Sequence, residues 1–402
     1  MADEWSYALL RYMWEAPSPS VQHGSPPWPD KAFQAIFNDR NGWSVGDFWE
    51  RCTFGLTRPV FKLFPWRILR YTEAAEAGDR GHVIQLARQQ AADDGEMLVG
   101  FAGVVAFVNA WPSDAGANGR DARFDPGTDR LEFFQHEVGH MLDFEHSFGP
   151  AMWGRPAGVY NDPYCVMGAT GPFEHNIAAD PNLSDVPLGA GQPFWRSGRR
   201  PAAATLYRHL PSFARSASVV HALPGQDIPL TALAQARLGE PIVAILPLPN
   251  GGELSIEYRL DSDDDVQVQP AVVVHSFGMQ MNPPGQTEVR PPWFEAAIPP
   301  TAGAEQDVLQ QRIMVKDISA DSRTRTSVRC RSSAVTRGKR GLPPRRARNA
   351  YQLDRNRGPR TAGSGPSSRC CEGNRRGRRA AGVETGVGAA YIRTDGDGCG
   401  HG

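Results

Sequence analysis

The sequence has few cysteines, no long apolar run and almost no net charge. Of its six cysteines, only Cys52 and Cys165 precede the last quarter of the chain, and Cys330, Cys370, Cys371 and Cys399 follow. Two thiols in a body of that size exclude a disulfide-built fold. No apolar stretch approaches the ~20 residues of a membrane span. The opening text MADEWSYALLRYMWEAPSPS lacks a continuous apolar core, so it is no secretory signal as written and the chain reads as cytoplasmic. The formal net charge of −1 conceals two compositions. Residues 321–402 hold 19 Arg/Lys against 6 Asp/Glu, a net of +13, which leaves −14 for residues 1–320. The basic part could hold nucleic acid non-specifically, but no interleaved aromatic platform accompanies it, so no specific nucleic-acid partner is expected.

With 402 residues and 40% hydrophobic content, the chain can bury a sizeable core in two or three domains. Residues 1–30 read as an extended lead-in, with Leu9, Leu10, Tyr12, Met13 and Trp14 able to form an apolar strand. FGLTRPVFKLFPW (54–66) suits an edge strand or hairpin. DRGHVIQLARQQAADDG (79–95) reads as a helix capped by Asp79, and GVVAFVNAW (103–111) as a buried strand. A Gly/Asp/Asn-rich loop (112–129) leads to a second helical pattern at 130–142. From about 217, IVAIL (242–246), ELSIEYRL (253–260) and AVVVHSF (271–277) read as strands separated by turns such as PNGG (249–252). After about 322 the apolar periodicity fails, and an Arg/Gly/Ser/Pro-rich segment of this kind cannot offset its ordering entropy. The abruptness of the change fits an out-of-frame continuation.

Chemistry concentrates in LEFFQHEVGHMLDFEHSFG (131–149). His136 and His140 stand four apart, on one face of a helix, where both imidazoles can reach one metal. Glu137 is placed to bond a water activated there. A third ligand requires the chain to leave the helix and double back, which His146 can do if the helix ends near Asp143. Glycine usually serves such a reversal; Asp143 is among the side chains that best tolerate the left-handed region. Three neutral histidines with one position left open suit catalytic Zn2+. The plainer alternative is an amphipathic helix with solvated His and Glu.

This segment resembles the zinc motif of the metzincin metalloproteases, H-E-x-x-H-x-x-G-x-x-H. VYNDPYCVMGAT (159–170) resembles their Met-turn, with Met167 as the methionine. Together with WSVGDFWERCTFGL and FPW upstream (43–66), the text is most similar to the immune-inhibitor-A-like branch, over about 40–216. The resemblance implies an α/β metzincin-like catalytic domain (1–216). An all-β, sandwich-like accessory module (217–322) and a disordered basic tail (323–402) complete the expected chain. It implies a metalloendopeptidase acting on protein or peptide substrates, with zinc held by His136, His140 and His146. Glu137 acts as general base toward the zinc-activated water, and Met167 lies as a hydrophobic floor. Substrate would lie extended along an edge strand. Family members are commonly secreted. Two departures stand out: Asp143 for Gly, and Ala169 where some metzincins carry a Tyr, a role for which Tyr160 and Tyr164 are the nearest substitutes. The rival is a catalytically impaired zinc- or peptide-binding protein of the same fold, with Asp143 distorting the turn.

Other residues carry weaker signals. Asp261, Asp263, Asp264 and Asp265 lack the glycine of a calcium loop. His175, His209, His221 and His275 have no ligand spacing. Cys52 does not resemble a cysteine switch, and Cys165 reads as a buried small hydrophobe.

Overall fold

The computed structural model describes residues 3–20, 27–76, 78–110, 114–127, 130–152, 154–158, 160–168, 174–188, 194–249, 251–262, 265, 268–278, 291–318 and 325–332. In chain order the first lobe comprises β1 (Asp3–Ala16), α1 (Asp30–Phe33), α2 (Val45–Cys52), β2 (Thr57–Thr72), α3 (Glu73–Glu76), α4 (Arg80–Asp93), β3 (Gly103–Val108), β4 (Gly116–Asn118), β5 (Asp121–Phe124), α5 (Leu131–Met141), β6 (His175–Asn176), β7 (Arg196–Ser197), α6 (Ala203–His209) and α7 (Pro211–Ala214). The fold is mixed α/β with several sheets.

Strand β1 is apolar on both faces, and such a strand is stable only inside a covered sheet. It lies between β2 and β3 in a five-stranded sheet of order β2-β1-β3-β5-β4. Pairing is parallel except for β4, which runs antiparallel to β5 at one edge. The two-residue period sorts the side chains. Ala8, Leu10, Tyr12 and Trp14 meet Val83, Ile84, Ala87 and Ala91 of α4, while Tyr7 and Leu9 share the opposite layer with Phe134, Val138 and Met141 of α5. Asp79 caps α4 by accepting from the His82 amide at 2.9 Å. β2 forms the other edge. The Gly/Asp/Asn-rich stretch expected to be loop holds the β4–β5 hairpin, and that hairpin brings the sheet edge beside α5.

The second lobe contains β8 (Val219–His221), β9 (Asp227–Thr231), β10 (Val243–Pro247), β11 (Glu253–Arg259), β12 (Ala271–Phe277), β13 (Trp293–Ile298), β14 (Glu305–Val308), β15 (Gln311–Ile318) and β16 (Arg325–Ser332). Sheets of order β13-β12-β11-β10-β8 and β14-β15-β16-β9 enclose Leu254, Ile256, Tyr258, Val272, Val274, Ile228, Leu230, Ile313 and Val315, the arrangement of a sandwich. The disorder expected from residue 323 is corrected at its start. Arg325–Ser332 form a strand paired to β9 on one side and β15 on the other, so its backbone donors and acceptors have ladder partners. The rest of the expected tail, 333–402, lies outside the described residues.

The two lobes share one core: Val219, Leu233, Ile242, Val243, Ile245 and Phe277 lie in the same apolar cluster as α5, α6 and α7. The outward face of β11 is therefore no solvent face. Ser255, Glu257 and Arg259 are fully buried against the first lobe. Arg259 donates to Asp265 (2.8 Å), Glu257 (3.0 Å) and the Tyr164 carbonyl (2.7 Å), and Glu257 accepts from the Ala203 amide. Removing one partner of such a network strands the others. Arg259→Met is expected to destabilise the protein by about 3–5 kcal/mol in urea unfolding, within a single transition for both lobes. Separate transitions for the two lobes would contradict the shared core.

Candidate metal centre

Leu131, Phe134, Val138 and Met141 turn one face of α5 into the core. His136, Glu137 and His140 occupy the neighbouring face. The helix stops at Met141, and Asp143 takes φ 66°, the left-handed reversal the spacing calls for. The Phe144 amide then bonds the Gly139 carbonyl at 3.0 Å, the closure common at a left-handed helix end. The Asp143 side chain forms an ion pair with Arg120, whose guanidinium lies 4.7 Å from the Trp5 ring centroid. Both charges are about half exposed, so the pair contributes only ~0–1 kcal/mol, an offset to part of the strain a non-glycine residue bears there.

The reversal brings His146 back to the helix. His140 Nε2 lies 3.1 Å from His136 Nε2 and 2.8 Å from His146 Nε2. Two of the rings are fixed from behind. His136 Nδ1 lies 2.7 Å from the Val166 carbonyl, and His140 Nδ1 2.8 Å from the Phe144 carbonyl. A carbonyl only accepts, so each Nδ1 carries the proton and each neutral ring turns its Nε2 lone pair to the cluster. Burial, opposed by the bond to Val166, pushes His136 down to about 4. Burial and then repulsion by His140 and His136 push His146 down to about 2. The same causes, burial first and His136 next, lower His140. Three neutral nitrogens thus converge, and among the described residues this is the group of three or more side chains able to hold a metal ion.

Glu137 stands beside them. Its Oε2 accepts from the Ala117 amide of β4 at 2.7 Å. Burial raises its pKa, against the Ala117 bond and the guanidinium of Arg80. Arg80, at the start of α4, donates to the Ala117 carbonyl (3.1 Å) and to Asp114 (2.8 Å). The edge strand is thereby held between Arg80 and Glu137. Gly116 permits this approach: a Cβ there would lie 2.2 Å from Arg80 Nη1. No spacing rule links Arg80 or Ala117 to the histidines. The only local signal is a glycine inside what reads as a loop.

Met167 is buried beneath the helix. A Cβ on Gly139 would lie 2.5 Å from its sulfur and 2.7 Å from Trp49 Cζ2. The preceding residue supplies the carbonyl that orients His136, and the Met167 carbonyl accepts from the Ser147 amide at 2.8 Å. Of the two tyrosines considered, Tyr160 packs 4.2 Å from the His146 ring with φ 40°. Tyr164 is buried at the lobe boundary, bonded to the Gln269 carbonyl. Ala169 lies outside the described residues, as do Asp263 and Asp264. Asp265 pairs with Arg259. Cys52 and Cys165 are buried, and burial pushes the Cys165 thiol up to about 12. His275, which has no ligand spacing, is fully buried against Asp162 at 2.9 Å. Compared with known proteins, the sequence matches no family model and no curated relative.

Two outcomes follow from this geometry. Gly139→Ala would ordinarily favour a helix by about 1 kcal/mol; here the added methyl meets Met167 and Trp49, and a net loss of ~1–3 kcal/mol is expected. A raised melting temperature would refute the close packing. Each histidine held neutral contributes stability that is complete above its unfolded value near ~6.5 and is lost as pH falls toward the folded value, about 4 for His136. Chelator-treated protein should lose on the order of 1 kcal/mol per pH unit per histidine across that window. His146→Gln should show a shallower slope, and an equal slope would contradict the account.

Proposed function

We propose that this chain is a zinc-dependent endopeptidase of metzincin type, nearest to the immune-inhibitor-A-like branch. The observation that carries the reading is the convergence of His136, His140 and His146 next to a buried carboxylate, Glu137, at the edge of a sheet. Neutral imidazoles suit zinc, and three protein ligands leave the open position of a catalytic rather than a structural site. When bound, zinc supplies a Lewis acid and lowers the pKa of water.

The residues of the chain supply the remaining steps. Glu137 takes a proton from the attacking water and passes it to the departing amine. A carboxylate with a raised pKa is suited to both transfers, since it holds the proton between them. The Ala117 amide keeps Glu137 oriented, and Arg80 holds β4 in place. β4 lies at the end of its sheet and carries the amide that orients Glu137; the substrate class is protein or peptide. Tyr160, beside His146, is the nearer of the two tyrosines to a developing oxyanion. The rival, a zinc- or peptide-binding protein without activity, depends on Asp143 distorting the turn. Its φ of 66° together with the return of His146 to the cluster supports the catalytic reading.

The test is hydrolysis of an unfolded protein substrate. Glu137→Gln is expected to lower kcat/KM by ~10²–10⁴-fold while metal content is retained. Chelation should abolish cleavage and added zinc restore it. Equal residual cleavage by parent and variant would sink the protease reading.

A further inference from the structure

The third ligand differs from the other two in how it is held. His136 and His140 sit on a helix, and backbone carbonyls fix their Nδ1 atoms. His146 is on irregular chain, and among the described residues no hydrogen bond holds its Nδ1. Its orientation depends on what anchors the residues around it. The Met167 carbonyl holds the Ser147 amide, and further anchors are braced by the sandwich lobe. Ser147, Asp162 and His275 are each 0% exposed. The Ser147 hydroxyl donates to Asp162 Oδ2, and His275 Nε2, on β12, donates to the same oxygen at 2.9 Å. Asp162 Oδ1 accepts from the Tyr164 amide at 2.8 Å, at the start of the turn that carries Met167. Phe148 is strapped to the same lobe: its amide donates to the Pro292 carbonyl at 2.9 Å, and its carbonyl accepts from Phe294 at 2.8 Å.

We propose that the sandwich lobe is a working part of the metal site, in which His275, through Asp162 and Ser147, is a positioning residue for His146. This rests on the metal-site reading above and assigns to the second lobe a share in it. An ionisable pair buried at a lobe boundary gives little net stability compared with apolar packing. It gives direction, and here the direction is applied one residue from a ligand.

The experiment is titration of the full chain with Zn2+ against a chromophoric chelator, together with the visible absorption of the Co2+-loaded protein. Parent, His275→Gln, Ser147→Ala and Ile256→Ala are compared. Ile256 lies in the sandwich core, away from the boundary. His275→Gln is expected to weaken zinc binding by ~10–100-fold, the usual cost of losing support behind a ligand, and to alter the Co2+ spectrum. Ser147→Ala should shift both in the same direction by less. This variant removes a single hydroxyl, and it decides the matter if His275→Gln fails to fold. Ile256→Ala should lower the melting temperature with parental affinity and spectrum. Affinities within about twofold of parent for both His275→Gln and Ser147→Ala would overturn the proposal. So would equal weakening by Ile256→Ala. A parent chain that takes up neither ion would overturn the metal-site reading, and this inference with it.

Discussion

Three imidazole nitrogens 2.8 and 3.1 Å apart form an arrangement that water would never hold together. Lone pair faces lone pair, and protonating any ring would place a charge against two neighbours. The rings persist in this geometry only because other parts of the chain compel it. Val166 and Phe144 fix two tautomers, burial suppresses protonation, and Asp143 turns the third ring inward. A cation held among them would relieve the remaining repulsion, and the work spent on ordering the rings would then become affinity for a metal.

Local rules are broken at the positions that serve this cluster. Glycine at 139 costs helix propensity, yet only glycine admits Met167 and Trp49 against α5. Gly116 takes φ 138° so that Arg80 and Glu137 can approach β4. Asp143 occupies the left-handed region without being glycine, and Arg120 answers its charge. Departures from local preference that share one surrounding are the pattern of a functional site rather than of random strain.

What the sequence discloses about this molecule tracks the range of the interactions involved. The helix carrying His136, Glu137 and His140 follows from four-residue spacing, and the Asp79 cap and the buried strand at 103–108 follow from equally local patterns. His146 needs only one reversal, and that too is legible. β1 resists reading because a strand covered on both faces shows no alternation, so its text resembles a lead-in. The β4–β5 hairpin hides in a stretch whose glycines and aspartates signal loop. Glu257 and Arg259 alternate with the apolar residues of ELSIEYRL, and nothing local shows that they are buried, because the surface that covers them is built from residues near 164 and 200. His275 and Asp162 are 113 residues apart, and no periodicity joins them. A histidine within the β-branched run AVVVHSF is the one hint that a buried partner exists.

The buried charges at the lobe boundary also bear on why two lobes form one unit. Arg259 and His275 lie on adjacent strands of one sheet, β11 and β12, and both reach into the first lobe with side chains fully buried. Apolar contact alone would tolerate sliding of one surface over another at small cost. Two sets of directional bonds do not, because displacement by even one residue parts His275 from Asp162 and Arg259 from the Tyr164 carbonyl, leaving buried polar groups unpaired at about 1–3 kcal/mol each. The neighbouring strands therefore act as a two-point register. Arg259 fixes where the sandwich meets the Tyr164 carbonyl, and His275 fixes where it meets Asp162. Both contacts fall on the segment that carries Met167, so the register that joins the lobes also sets the floor beneath the histidines.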